Sequence, residues 1–368
     1  MNNFCWGLNK FKIKAKNNTS KIQYLSTFVH SFYPESKRFF GTGSGIYDAF
    51  KFEPGEEKTI EGEYFISPEH GICNIKIVVS NMFDNPETVF DRTNKITEKM
   101  FTVKFAPPNQ KVNEFRMPKR NLDKFKFLSE ELKLSLPPLK FKETEHFIFY
   151  YFPGTQAEKD INVIAEEREK ILNKIARMVN INFKGKIFVF FYPDAKSKRK
   201  ITKHQGMGLS YSNTIVEIYN LRAKMDPNHE ITHSVTALLG DPPALFDEGF
   251  ATYNQKDHKF GNSHIDVIAR KYKMKNMLWK IEDIFSFTDI GSPETKALIA
   301  YPEAASMVKY IIENYGMDKF LKLFKTLKRS DKPEQIEINK KEFKNITGRD
   351  IFTFEKEWLN YLDKIKIK

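Results

Sequence analysis

Cysteines, arginines and long apolar runs are all scarce in this chain, and each scarcity removes a class of protein. Two cysteines in 368 residues exclude a disulfide-dense scaffold. Cys5 and Cys73 also lack any metal-binding spacing, so neither is assigned a site. No apolar run nears the ~18 residues of a membrane span; stretches such as Ile187 to Tyr192 are only strand-sized. The opening residues MNNFCWGLNKFKIK hold neither an apolar core of about 7–15 residues nor a small-residue cleavage site, which predicts no secretory signal. A cytoplasmic location is the resulting expectation, and an extracellular one if further sequence precedes this start.

Basic residues number 60 against 47 acidic ones, a net charge of +13, yet only 11 of the 60 are arginine. Bidentate recognition of phosphates and base edges favours the arginine fork. A lysine excess spread through an Asn-, Ile- and Phe-rich chain reads as compositional bias, so no specific nucleic-acid partner is expected. What the chain does have is 34 phenylalanines and a 40% hydrophobic fraction, enough at this length to bury two ordinary cores.

The first third reads as β. Segments Glu61–Ile66, Cys73–Val79 and Lys99–Phe105 are short, rich in β-branched and aromatic residues, and separated by Pro, Gly and Asn. This spacing predicts an all-β sandwich over residues 1–106. Glu53-Pro-Gly-Glu-Glu57 precedes one strand, Gly71 opens the next, and Asp91-Arg-Thr-Asn-Lys-Ile-Thr-Glu98 lies between the last two. Together they resemble the immunoglobulin-like CARDB pattern, although the asparagine pair usual after the glutamate is missing. That resemblance implies a spacer or adhesion module that engages a protein partner and carries no chemistry. Gly41-Thr-Gly-Ser-Gly45 lacks the strand–loop–helix setting of a phosphate cradle and reads as a turn. Residues 107–140 are Lys-rich, broken by Pro107, Pro108, Pro118, Pro137 and Pro138, and read as a linker with a short helix near Asp123 to Leu134.

From residue 141 the pattern becomes α+β. His146–Phe152 and Lys186–Tyr192 are strand candidates. Gln156–Val179 is an amphipathic helix with Ile161, Ile164, Ala165, Ile171, Leu172 and Ile175 inward. Gly208–Tyr219 reads as a further strand or hairpin, either buried in the sheet through Ile215, Val216 and Ile218 or free to pair with an extended ligand. After Asp226 the chain reads as mostly helical to residue 368, with Phe320, Leu321, Phe324, Phe343, Phe352, Trp358 and Tyr361 as a packing stripe. His204, His258 and His264 read as surface residues.

The chemistry lies in Asp226-Pro-Asn-His-Glu-Ile-Thr-His-Ser-Val-Thr-Ala-Leu-Leu239, which holds H-E-x-x-H as His229, Glu230 and His233. Asp226 is a good N-cap and Pro227 suits the first helical position. On a helix the two histidines stand about 40° apart, one turn above the other, so both can reach one cation. Ile231, Val235, Leu238 and Leu239 form the opposite, apolar stripe. Fourteen residues separate His233 from Glu248, in Pro242-Pro-Ala-Leu-Phe-Asp-Glu-Gly-Phe-Ala-Thr-Tyr253. A carboxylate among Phe246, Phe250 and Tyr253 is costly to bury unpartnered, and a metal is a good partner. Three protein ligands describe an open, catalytic zinc site, whereas a structural site closes with four.

H-E-x-x-H followed by P-x-x-x-x-E-G-x-A is similar to the gluzincin peptidases, specifically the peptidase MA-like family, over residues 144–368. Gly206-Met-Gly-Leu-Ser210, and Ala300-Tyr-Pro-Glu-Ala-Ala-Ser-Met-Val-Lys-Tyr310 followed by Tyr315-Gly316, resemble further segments of that family. Pro302 and Phe246 depart from its usual pattern. The resemblance implies an α+β zincin domain over residues 141–368. It further implies one zinc per chain on His229, His233 and Glu248, with Glu230 as general base and Tyr301 as oxyanion stabiliser. A peptide or protein substrate would be hydrolysed by a zinc-activated water. The rival expectation is a zincin scaffold that grips peptides without cutting them; the presence of both histidines and both glutamates favours the enzyme.

Overall fold

The computed structural model describes residues 7–32, 39–40, 49–66, 71–81, 95–105, 139–202, 207–211, 214–291 and 293–367. The Gly41–Gly45 loop, residues 91–94, the 107–138 part of the linker, Cys5, His204 and Gly206 lie outside the described residues. The chain is mixed α/β, and its contacts divide it into two compact units. One is Met1–Lys174 with Ile181–Met225, the other Ile175–Asn180 with Asp226–Lys368.

The first unit begins with strands β1 (Gly7–Lys16), β2 (Gln23–Phe32), β3 (Phe39–Phe40), β4 (Ala49–Phe52), β5 (Glu57–Ile66), β6 (Gly71–Asn81) and β7 (Lys95–Phe105). All pairings among them are antiparallel. β1 pairs with β5 from Gly7↔Ile66 to Lys16↔Glu57, while β3, β2, β6 and β7 form a second sheet with β4 added to β2. Leu25, Phe52, Ile60 and Val79 are buried in one apolar cluster, with Ile13 packed against it, so both sheets contribute to a shared core. Burying that alternating face is what fixes the register, since a one-residue slip would turn it to water.

The same unit carries a five-stranded sheet ordered β11 (Gly208–Tyr211), β12 (Thr214–Ile218), β10 (Ile187–Tyr192), β9 (Phe147–Tyr151), β8 (Lys140–Glu143). The three inner strands run parallel and every residue in them is buried, which is why β9 and β10 read as unbroken apolar runs rather than alternating ones, whereas β12 also buries Thr214 and Glu217. Helix α1 (Gln156–Met178) connects β9 to β10, and α2 (Ala195–Thr202) follows β10. Arg168 of α1 and Glu217 of β12 form a buried ion pair. Of the two readings of Gly208–Tyr219, burial holds for β12, which is paired on both sides; β11 is the edge strand.

The second unit is helical: α3 (Pro227–Thr236), α4 (Ala244–Tyr253), α5 (Ile265–Met274), α6 (Ile281–Ser286), α7 (Ala297–Tyr315), α8 (Met317–Thr326), α9 (Pro333–Thr347) and α10 (Ile351–Asp363). A short hairpin, β13 (Lys259–Phe260) with β14 (Ser263–His264), precedes α5. α4 packs against α7 with Gly249 at the crossing. Phe250 of α4 meets Phe320 of α8 at 4.7 Å between ring centroids. Buried Asp266 of α5 accepts from Ser306 of α7 at 2.7 Å and from Tyr361 of α10 at 2.6 Å, tying three helices together. Pro302 sits inside α7 rather than at its start; it withdraws a backbone donor from Leu298, which is exposed.

Most of the predicted C-terminal stripe is buried, but Phe352 is exposed, because it lies on α10 about 240° around from Trp358. His258 and His264 are not free surface groups either. His258 stacks on Tyr253, and His264 Nδ1 accepts from Asp266 N to cap α5. Among the described residues no helix is long and apolar enough to cross a membrane.

Candidate metal centre

The Asp226 carboxylate accepts from Asn228 N at 2.9 Å and Pro227 opens the helix, so α3 starts where local chemistry dictates. Asp226 also accepts from Lys256 N at 2.6 Å, drawing in the chain that follows α4. Ile231, Val235, Leu238 and Leu239 are buried as one apolar face. That burial leaves His229 and His233 on the other side, one turn apart, with their Nε2 atoms 3.3 Å from each other.

α4 brings the third donor. Glu248 Oε2 lies 3.2 Å from His233 Nε2 and 3.4 Å from His229 Nε2. A tetrahedral cation with bonds of about 2.0–2.1 Å has ligand–ligand edges of about 3.3–3.4 Å. The three donor atoms therefore stand at the corners of one face of such a tetrahedron. Two imidazole nitrogens and one carboxylate oxygen are also the donor types zinc accepts, so the residues fit this metal. The side chains of His229, His233 and Glu248 keep 13%, 16% and 19% of their surface exposed, so the cluster is not sealed from solvent.

The electrostatics favour a positive charge at this point. Burial opposes charging of His233, but the carboxylates of Asp247 and Glu248 outweigh it and hold its pKa well above the ordinary 6.5. Burial likewise opposes charging of Glu248, and the two histidines overcome it, driving its pKa well below 4.5. A site that holds a proton between two partly buried carboxylates also suits a cation, which takes the proton's place on metal binding.

Glu230 follows His229 on α3 and is buried. Tyr301 comes from the second turn of α7, its ring centroid 6.0 Å from that of His229. Phe260 of the β13–β14 hairpin stacks on the phenol ring at 5.9 Å. The hydroxyl lies so close to Gly291 that a side-chain carbon there would sit 3.2 Å from it. Burial raises the phenol's pKa, and the charges of Glu248, Asp289, Glu230 and Asp247 add to the shift, so Tyr301 keeps its proton and can donate it. Glu230 is thus among the carboxylates acting on Tyr301. All five residues singled out in the sequence, His229, Glu230, His233, Glu248 and Tyr301, come together in the helical unit.

Sequence reasoning missed Asp247, Gln255, Phe260 and Arg329. Asp247 Oδ1 is 3.0 Å from His233 Nδ1, its other oxygen accepts from Arg329, and burial notwithstanding, His233 and Arg329 pull its pKa down to about 2. The Gln255 amide lies 3.4 Å from His229 Nδ1. The signal for Asp247 was available: two adjacent carboxylates in the apolar run of α4 each need a partner. Nothing local marks Arg329 or Phe260.

No family model matches the chain, and no curated protein matches it in sequence. Among solved structures it is similar to the metallopeptidase IMPa of Pseudomonas aeruginosa in complex with an O-glycopeptide, at 7% identity and a TM-score of 0.32. That likeness covers 98% of this chain and 51% of the other, so the chain spans about half that protein's length. It is also similar to an M1 zinc metallopeptidase from Deinococcus radiodurans bound to a Tyr-Ser-Ala substrate, at 12% identity and a TM-score of 0.39, over 96% of this chain and 90% of that one. An aminopeptidase N family protein from Idiomarina loihiensis is similar at 10% identity and a TM-score of 0.29, over 99% and 73% of the two chains.

Proposed function

We propose that this chain is a zinc-dependent peptidase of gluzincin type, with His229, His233 and Glu248 as zinc ligands, Glu230 as general base and Tyr301 as oxyanion donor. The observation that carries this reading is the meeting of two imidazole nitrogens and one carboxylate oxygen at 3.2–3.4 Å, on two helices and not sealed from solvent. When bound, zinc supplies Lewis acidity toward a carbonyl and acidifies a water. Glu230 would accept a proton from such a water and deliver it to the leaving amine, a role that contributes about 10²–10⁴-fold. The Tyr301 phenol, held by Phe260 and crowded against Gly291, donates to the oxygen on which charge develops. The reading extends to the N-terminal strands as an immunoglobulin-like sandwich spanning residues 1–106, supported by the core its two sheets share.

The test is zinc content together with cleavage of an unbiased peptide library. About one zinc per chain is expected, lost in His229→Ala and His233→Ala, and Glu230→Gln keeps zinc while losing hydrolysis. Full zinc retention in both histidine variants overturns the ligand assignment. A zinc-loaded wild type that cleaves nothing but binds peptides identifies a scaffold instead.

A further inference from the structure

We propose that Asp247 is a positioning residue for the metal ligand His233, and that Arg329, from the loop after α8, acts on the zinc site through Asp247. The inference rests on the zinc reading above and adds to it a dependence on the far C-terminal part of the chain.

Adjacent helical positions differ by about 100°, so the neighbours Asp247 and Glu248 leave α4 in different directions. They close on one imidazole from opposite sides: Glu248 Oε2 is 3.2 Å from His233 Nε2, and Asp247 Oδ1 is 3.0 Å from His233 Nδ1. A carboxylate at Nδ1 accepts its proton, which leaves the Nε2 lone pair aimed at the cation. His229 has a neutral amide at the corresponding place, 3.4 Å away. His233 is therefore the more firmly oriented of the two ligands.

Asp247 divides its oxygens between two tasks, since the one not facing His233 accepts from Arg329. Arg329 is itself fixed at several points. Its backbone N–H donates to Asp241 O at 3.0 Å and its Nη1 to Thr288 O at 3.2 Å. The Asp241 carboxylate lies 2.9 Å from Nε as an ion pair without hydrogen-bond alignment. With 4% of its side chain exposed, the guanidinium has nowhere else to go. Deprived of Arg329, Asp247 is left with a half-buried oxygen lacking its partner and is free to rotate away from His233.

The experiment measures zinc affinity of the full chain by competition with a chromophoric chelator, for wild type, Asp247→Asn, Arg329→Met and the double variant. Asp247→Asn is expected to weaken zinc binding about 10–100-fold, the usual cost of losing such a partner. Arg329→Met should weaken it in the same direction, and the double variant should be no weaker than Asp247→Asn alone, because the arginine has no route to the metal once the carboxylate is gone. In the zinc-loaded protein the imidazole Nδ1–H proton resonance of His233 should move upfield in Asp247→Asn, a change that general loosening does not produce. Asp247→Asn is nearly isosteric, so the part assigned to Asp247 does not depend on Arg329→Met folding. A wild type that binds no zinc overturns the parent reading and this one with it. A zinc-binding wild type whose Asp247→Asn variant binds equally well, with the resonance unmoved, overturns this inference alone. Additive losses in the double variant overturn the part assigned to Arg329.

Discussion

Gly249 stands directly after the proposed ligand Glu248, at the point where α4 crosses α7, and the substitution Gly249→Ala tests whether that contact sets the geometry of the site. An added Cβ would lie 2.8 Å from the Ala304 carbonyl oxygen and 2.8 Å from Val308 Cγ2, against about 3.4 Å for ordinary contact. The valine methyl can yield by rotation. The carbonyl is backbone inside a helix and cannot, so the helices must part by about 0.6 Å, the difference between those two distances. Alanine gains about 0.8–1 kcal/mol in helix propensity over glycine, while overpacking costs about 1–3 kcal/mol. With backbone as the obstacle the upper part of that range applies, and a net loss of about 1–2 kcal/mol follows. For the metal the margin is narrower, because ligand distances tolerate about ±0.2 Å. A shift of about 0.6 Å in α4 carries Glu248 outside that tolerance relative to the histidines of α3. The expected result is a melting temperature a few degrees lower and zinc affinity at least about tenfold weaker, read by calorimetry and chelator competition. A variant that melts at or above the wild-type temperature and binds zinc as tightly refutes the reasoning, since it would mean that the crossing has slack the contact distances deny.

Tyr301→Phe should keep its zinc and lower kcat by about 10²–10³-fold with little change in KM, the signature of losing one oxyanion donor; a change confined to KM would remove Tyr301 from that role. Glu303, fully buried on α7 with only Trp279 N donating to it among the described residues, at 3.2 Å, has its pKa raised well above the ordinary 4.5 by burial. Above pH 4.5 the unfolded chain releases a proton that the folded one keeps, so this group's contribution to stability is complete below pH 4.5 and declines as pH rises toward the raised value. Glu303→Gln should accordingly flatten the fall in melting temperature as pH rises above 4.5, and identical pH slopes for the two proteins would show that Glu303 is ionised in the fold.

What could be read from the sequence was what depends on neighbours along the chain. Asp226, Pro227 and the two histidines fall within one helical stretch, so cap, periodicity and ligand spacing can be worked out on a single element. The buried strands β9 and β10 announced themselves as continuous apolar runs for the same reason. Gly208–Tyr219 left two readings open because pairing is a property of the sheet: nothing in Ile215 or Val216 says that β10 lies on one side and β11 on the other. Phe352 was grouped by helical spacing with a packing stripe, whereas its angular position on α10 puts it in water. His258 and His264 looked idle because their partners, Tyr253 and Asp266, are backbone and side-chain groups whose approach depends on the turn around β13 and β14.

The same distinction runs through the site itself. The identities of the proposed ligands are written in two short motifs, but their spacing to a few tenths of an ångström is not, since it depends on where α4 is pushed. Two contacts decide that. Gly249 lets α4 lie directly on the backbone of α7, and Arg329, 82 residues beyond Asp247, holds the far side of the same helix turn. Both contacts are made by parts of the chain that carry no ligand. It follows that loosening α7 or the loop after α8 should weaken zinc binding before it unfolds the unit, because a helix shift well short of unfolding already exceeds the tolerance of the metal. Partial denaturation followed by zinc release and by far-ultraviolet circular dichroism separates the two events: zinc lost at lower denaturant than helix supports this order, and coincident transitions refute it.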